Sequence, residues 1–253
     1  MTGALQLPPA FRLVAFDSLD STNREAARLA ARGGAHGTIV WAREQTAGRG
    51  RRGRHWSSPR GNLYCSLLLR PDRPARAAAQ LGFAAGLALA EALERHLPEG
   101  VSLALKWPND VLIDGRKAAG ILLEGSAPAA GRLDWLVLGV GVNLTSFPED
   151  ADYPATSLAA AGAGTTPPAE VLERFAAAFL GWSERWHTDG FASLRLAWLG
   201  RASGVGGPAT VRLEGETVAG RFAGLDESGA LVLELDDGSR RSVSVGDVFS
   251  LAA

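Results

Sequence analysis

The stretch Glu44-Gln45-Thr46-Ala47-Gly48-Arg49-Gly50-Arg51-Arg52-Gly53-Arg54-His55-Trp56 decides how the rest of this chain is read. It holds three glycines, four arginines and no aliphatic side chain larger than alanine, so it can be buried neither as a strand nor as a core helix. Glycine lets the backbone turn and brings bare N–H groups close to a ligand. Arginine adds fixed charge in planar donor forks suited to phosphate and carboxylate. The spacing Gly48-x-Gly50-x-x-Gly53 has the form of a dinucleotide fingerprint, which requires a helix to open at its last glycine. Arg54-His55-Trp56-Ser57-Ser58-Pro59 opens no helix. No Gly-Lys-Ser/Thr follows, so a Walker A loop fails as well. Two readings stay open at this point, an anion cradle and a solvated basic loop.

Working outward, Thr38 to Arg43 reads as the strand that delivers the loop. Before it, a short strand from Leu13 to Asp17 runs into Ser18-Leu19-Asp20-Ser21-Thr22-Asn23-Arg24-Glu25. Thr22 and Glu25 fit a capping box, and the helix is expected to run through Ala26, Ala27, Leu29 and Ala30 to Gly33-Gly34. Ser21 and Asn23 then remain as polar groups at a helix N-terminus, a place suited to a polar ligand. After the loop, Asn62 to Arg70 reads as a strand with Leu63, Cys65, Leu67 and Leu69 on one face. A core-facing helix is expected over Ala75 to Leu97. A strand from Leu103 to Lys106 ends in Trp107-Pro108-Asn109-Asp110. Val111 to Ile113 and Lys117 to Glu124 flank Asp114-Gly115, a type I′ hairpin signal. Leu133 to Asn143 reads as a strand, and its Gly139 and Gly141 mark close approach to the backbone, expected to be by a ligand.

Ala151 to Pro168 is expected to be a surface connection, and Glu170 to His187 a helix whose Phe175, Phe179, Trp182 and Trp186 form a core stripe. A second short helix spans Phe191 to Leu199. From Gly207 the texture changes to short alternating segments with turns at Glu214-Gly215, Ser228-Gly229, Asp237-Gly238 and Gly246-Asp247, the pattern of a small β-barrel. The expected division is residues 1–203 and 204–253.

Composition sets bounds on function. With 253 residues and a net charge of −1, the basic loop is a local feature and bulk polyanion binding is disfavoured. The single cysteine, Cys65, rules out an internal disulfide and points to a reducing cytosol. The longest apolar run, Leu81 to Ala90, is too short to cross a bilayer, and the N-terminal residues show no secretory pattern. Only Lys106 and Lys117 are lysines among 26 basic residues, which marks them as places where a compact ammonium matters. The four histidines sit in unrelated contexts and no nucleophile elbow is present.

Four polar clusters thus fall at strand ends or loops of one mixed sheet. They are Ser21-Thr22-Asn23, Gln45 with the glycine–arginine loop, Lys106 to Asp110 with Lys117, and Gly139 to Asn143. Neutral hydrogen-bonding groups, several cations and an Asn-Asp pair able to reach a metal suit the activation of a carboxylate by ATP. There a carboxylate must approach an α-phosphate of like charge, and cations screen the repulsion.

In these residues the chain resembles the biotin protein ligases. The resemblance rests on Gly48 to Trp56, Lys106-Trp107-Pro108-Asn109-Asp110, Arg116-Lys117-Ala118-Ala119-Gly120-Ile121-Leu122 and Gly139-Val140-Gly141-Val142-Asn143, in that order. It implies an α+β fold, a mixed sheet flanked by helices like class II aminoacyl-tRNA synthetase catalytic domains, with a small C-terminal SH3-like barrel. It implies that biotin and ATP give biotinyl-5′-AMP, and that the acyl group passes to a lysine of a carboxylase carrier domain. It places biotin at Ser21, Thr22, Asn23, Gln45, Arg49, Gly50, Arg51, Trp56 and Lys117. Nucleotide contacts are implied at Arg51, Arg54, Asn109, Asp110 and Asn143, Mg²⁺ at Asp110, and catalytic roles for Lys117, Arg49 and Arg51. About sixteen residues precede the Asp17 segment, so an enzyme-only form without a DNA-binding domain is expected, monomeric or homodimeric, in the cytoplasm and off the membrane. Lipoate–protein ligase, of the same fold and chemistry, is the near rival; a nucleic-acid module built on the arginine loop is the distant one.

Overall fold

The alternation at Leu63, Cys65, Leu67 and Leu69 becomes an inner strand of a seven-stranded sheet in a computed structural model, which describes residues 5–126, 133–151, 153–213, 215–244 and 247–249. The strands are β1 (Arg12–Leu19), β2 (Thr38–Gln45), β3 (Leu63–Leu69), β4 (Leu103–Lys106), β5 (Asp110–Ile113), β6 (Arg116–Ser126) and β7 (Trp135–Val142). Their spatial order is β1-β2-β3-β7-β6-β5-β4. Only β1 and β2 pair in parallel, so the sheet is mixed.

Period-two patterning sorts the side chains of β3. Leu63, Cys65, Leu67 and Leu69 face the larger core, while Leu68 joins Ala26, Ala30, Val40 and Val137 beneath helix α1 (Thr22–Ala31). Helices α3 (Leu81–Glu94), α4 (Pro168–Asp189) and α5 (Phe191–Leu199) cover the other face, after a short α2 (Ala75–Ala78). Helix α3 is apolar nearly all round and sits between the sheet and α4. Phe175, Phe179 and Trp186 of the α4 stripe are buried against it, each worth roughly 1.5–3 kcal/mol of burial.

Three expectations need correction. The capping box does not form, because the Thr22 hydroxyl donates to Gln45 Oε1 at 3.1 Å and Glu25 pairs with Arg28. The Thr22 N–H, one of the helix's orphan donors, is satisfied by the same Gln45 oxygen at 2.8 Å, so the cap comes from β2. The single helix expected over Ala75 to Leu97 breaks at Ala79-Gln80, where the Gln80 side chain is taken by Trp186 Nε1 at 2.9 Å and the Glu227 carbonyl at 3.3 Å. Finally, the connection from Ala151 to Pro168 is not all surface. Ala155, Thr156, Ser157, Leu158 and Thr166 are buried, and the segment pairs with the start of β6 through Lys117 N–Pro154 O and Thr156 N–Lys117 O, both 2.9 Å.

Between β5 and β6 the chain turns on Asp114 (φ 47) and Gly115 (φ 73), the two positive φ values that a type I′ turn demands. Further along, the register slips, with Leu112 opposite Lys117 and Val111 opposite Ala119, leaving Ala118 as an extra residue. A bulge of this kind re-aims the adjoining side chain.

The C-terminal segment folds as a second, wholly antiparallel sheet, β8 (Pro208–Arg212), β9 (Thr217–Leu225), β10 (Leu231–Glu234), β11 (Arg240–Val243) and β12 (Asp247–Phe249), in the order β11-β10-β9-β8-β12. Gly215, Gly229 and Gly238 take positive φ in its turns as expected; Glu214 and Gly246 lie outside the described residues. Among those residues no helix is long and apolar enough to cross a membrane.

Candidate active site

Helix α1 begins where β1 ends, and the glycine–arginine loop leaves β2 beside it, so the two polar stretches meet over the ends of β6 and β7. The glycines of β6 and β7 make this meeting possible. A Cβ at Gly139 would lie 2.0 Å from Asn23 Oδ1, and one at Gly141 would lie 2.6 Å from Trp56 Nε1. The close approach expected there is made by the chain's own side chains. Asn23 and the Trp56 indole stand against bare strand backbone, Trp56 also crossing Gly120.

Behind this recess runs a polarised hydrogen-bond chain. Thr22 donates to Gln45 Oε1; Gln45 Nε2 donates to Ser58 Oγ at 2.9 Å; Ser58 donates to the Trp56 carbonyl at 2.9 Å. Ser66 Oγ lies 2.7 Å from Thr22 Oγ1 and 2.6 Å from Asn23 Oδ1, and Asn23 Nδ2 donates to Glu124 Oε2 at 2.7 Å. Because each amide has both its oxygen and its nitrogen committed, Gln45 and Asn23 are each held in a single orientation. Ser21, Thr22, Asn23 and Ser66 are buried, so this chain is electrostatically strong and costly to break.

The loop itself is a tight hairpin. Gly50 N donates to Arg54 O at 2.7 Å, Trp56 N donates to Gly48 O at 3.0 Å, and Arg49 bridges His55. Arg51 to Gly53 form a single 3-10 turn, with Arg52 at φ 55. Arg49 is ion-paired to Glu124, and Arg51 donates to Asn109 Oδ1 at 3.2 Å. Asn109 is itself fixed, its Nδ2 donating to the Ile121 carbonyl at 2.7 Å.

Lys117, aimed by the bulge, brings its ammonium to 2.7 Å from Asp110 Oδ1. The contact is an ion pair without hydrogen-bond alignment, since that buried oxygen accepts no hydrogen bond. The ammonium also lies 5.3 Å from the centre of the Trp56 ring and 4.7 Å from that of Tyr153, a cation between two aromatic faces. Burial pushes the Cys65 thiol up to about 12, so it offers no nucleophile.

Of the residues expected at a site, Ser21, Thr22, Asn23, Gln45, Arg49, Gly50, Arg51, Arg54, Trp56, Asn109, Asp110 and Lys117 line one cleft. Asn143 does not; it lies behind an adjoining lobe with Arg54, Trp56, Lys117 and Tyr153. It is buried, donating Nδ2 to the Thr156 carbonyl at 3.0 Å. Sequence reading missed Ser58, Ser66, Glu124 and Tyr153. No local signal marks Ser66 or Glu124, whose partners Asn23 and Arg49 are distant in the chain. Among the described residues no group of three or more His, Cys, Asp or Glu side chains is placed to hold a metal.

The family model described as "Biotin/lipoate A/B protein ligase family" matches residues 15–143, and "Biotin protein ligase C terminal domain" matches residues 206–250. A biotin--[acetyl-CoA-carboxylase] ligase of Paracoccus denitrificans is 44% identical over 236 residues, 91% of this chain and 97% of that one. The biotin protein ligase of Aquifex aeolicus, solved with biotin and ATP, superposes with a TM-score of 0.81 at 29% identity, covering 96% of this chain and 99% of that one. A Leishmania major biotin protein ligase solved with biotinyl-5-AMP gives 0.65 at 25% identity, with 94% and 100% covered.

Proposed function

This chain belongs to the biotin/lipoate A/B protein ligase family, and we propose that it is the ATP-dependent ligase that activates biotin and transfers it to a lysine of a carboxylase carrier domain. In the first half-reaction a biotin carboxylate oxygen attacks the α-phosphorus of ATP, the bond to the β-phosphate breaks, and pyrophosphate leaves. In the second, the carrier lysine's neutral amine attacks the acyl carbon, the carbon–oxygen bond to phosphate breaks, AMP leaves, and the amine loses a proton.

The observation that carries this reading is the position of Lys117. Its ammonium sits where the neutral recess meets the arginine loop, at 12% side-chain exposure. There it would neutralise charge shared by carboxylate and α-phosphate, an interaction that strengthens as the bond forms. The fixed amides of Asn23 and Gln45, with Ser21, Thr22 and the Trp56 indole, would take the ring system. Arg51 and Arg54 would face the phosphates. Arg49 is ion-paired to Glu124, which also holds Asn23, so we assign Arg49 to orienting the recess.

Mg²⁺ fits the same reading. Asp110 Oδ1 already faces the Lys117 ammonium, so the carboxylate's other oxygen would be the one offered, and one carboxylate suffices for an ion that keeps its waters. Asp110 would hold it, and the ion would screen the polyphosphate charge. Asn143 we assign to shaping the adjoining lobe, Tyr153 to its wall. The division at residues 203 and 204 and a cytosolic location, the latter resting on the single buried Cys65, belong to the same proposal.

Biotin-dependent exchange of pyrophosphate into ATP by the purified chain tests the reading, with lipoate as the competing acid. Exchange with biotin and none with lipoate is expected. Exchange with lipoate alone would move the assignment to the neighbouring branch of the family.

A further inference from the structure

The turn between β9 and β10 reaches out of the C-terminal sheet and ends against the segment carrying Asn109 and Asp110. Asp226 organises it, its Oδ1 accepting from Ser228 N at 2.8 Å, Ser228 Oγ at 2.7 Å and Ala230 N at 3.0 Å. At its tip Gly229 stands at φ 88, where a Cβ would lie 2.7 Å from Phe83 Cε2 and 3.3 Å from Phe191 Cζ. Phe83 is itself wedged edge-on against Phe191 and Trp198, at 5.1 and 5.4 Å between ring centres. The tip therefore has one seat, and only glycine fits it. In that seat the Gly229 carbonyl accepts the indole N–H of Trp107 at 3.0 Å.

Trp107 is 3% exposed, and its N–H has no water to fall back on. Two residues further, Asn109 holds Arg51 through Oδ1 and Ile121 through Nδ2 and its own carbonyl. The next residue, Asp110, pairs with Lys117. A shift of the Trp107 ring is thus passed on to the groups that meet the phosphates.

Resting on the proposed function and deepening it, we infer that Trp107 is a positioning residue for the activation half-reaction and that the Gly229 carbonyl is its anchor. The C-terminal segment reaches the chemistry here through a backbone carbonyl, and among its described residues no side chain lines the cleft. Displacing one partner strands a buried polar group, and the strain is relieved by movement of the 107–110 segment.

Trp107→Phe in the full chain keeps an aromatic ring, though a smaller one, and removes the donor. Three readouts decide the inference. Biotin binding without ATP is expected within twofold of wild type, because the recess residues are untouched. The biotin-dependent exchange rate should fall about tenfold, the value of one buried hydrogen bond. Amide hydrogen exchange over residues 109–121 should quicken in the variant. Gly229→Ala, which leaves Trp107 intact and moves its acceptor, should give the same three results. Wild-type exchange in both variants, or a loss of biotin binding in proportion to the loss of exchange, overturns the inference. A wild-type chain without biotin-dependent exchange overturns the functional reading instead. The hydrogen-exchange comparison then still decides the contact, unchanged protection over 109–121 refuting it.

Discussion

At the scale of single residues, Lys117 stands out among the cations of an arginine-dominated composition. Lys117 is the ammonium placed by a bulge between two aromatic faces. Lys117→Ala should cut biotin-dependent exchange by roughly 10²–10³-fold, the usual cost of removing a positioned charge, while biotin affinity changes little. Exchange within a factor of a few of wild type would reduce Lys117 to a hairpin residue. Asn143 points the other way. Its side chain ties β7 to the Thr156 carbonyl, so Asn143→Ala should lower stability by about 1–2 kcal/mol and leave KM for ATP near wild type. A large rise in that KM with unchanged urea stability would restore a direct nucleotide contact. The members of the recess were legible in the sequence because their residue types had no better use in a core. Ser66 and Glu124 were not, since their partners Asn23 and Arg49 lie 43 and 75 residues away, and only folding brings such pairs together.

Among the elements, alternation and turn chemistry located every strand of the larger sheet to within a few residues, because those signals are local. The capping box and the unbroken helix failed for the opposite reason, a distant glutamine in one case and a distant turn in the other. The turn at Asp226 has its own signature in acid. Burial opposes ionisation there, but the Ser228 hydroxyl and the N–H groups of Ser228 and Ala230 outweigh it and hold the carboxyl below its ordinary value of 3.8. A lowered carboxylate stabilises the folded state above its unfolded value, and the benefit is lost as pH falls through the lowered one. The stability gap between wild type and Asp226→Asn, read from urea midpoints, should be flat from pH 7 to about 5 and close below about 4. A gap that persists unchanged to pH 2 would show that the turn does not depend on that charge.

For the molecule as a whole, the apolar cluster is continuous, running from Phe83, Phe191 and Trp198 into Phe222, Leu225 and Leu231 of the C-terminal sheet. Calorimetry should therefore show one unfolding transition with matching calorimetric and van't Hoff enthalpies. Two resolved peaks would mean that the sheets melt independently. The two-sheet organisation was readable from the change in texture near Gly207, but their joint was not, since a lone Ser-Gly turn looks the same in sequence whether it faces solvent or a tryptophan. That joint also carries a clock. Trp107 and its acceptor are 122 residues apart in the chain, and at about 5–20 residues per second a ribosome takes roughly 6–24 s to make the distance. The cleft residues from Asn109 to Tyr153 are themselves made within that interval, so only for its later part does the lining exist while the indole has no acceptor. A chain halted there should activate biotin about tenfold more slowly than the finished one.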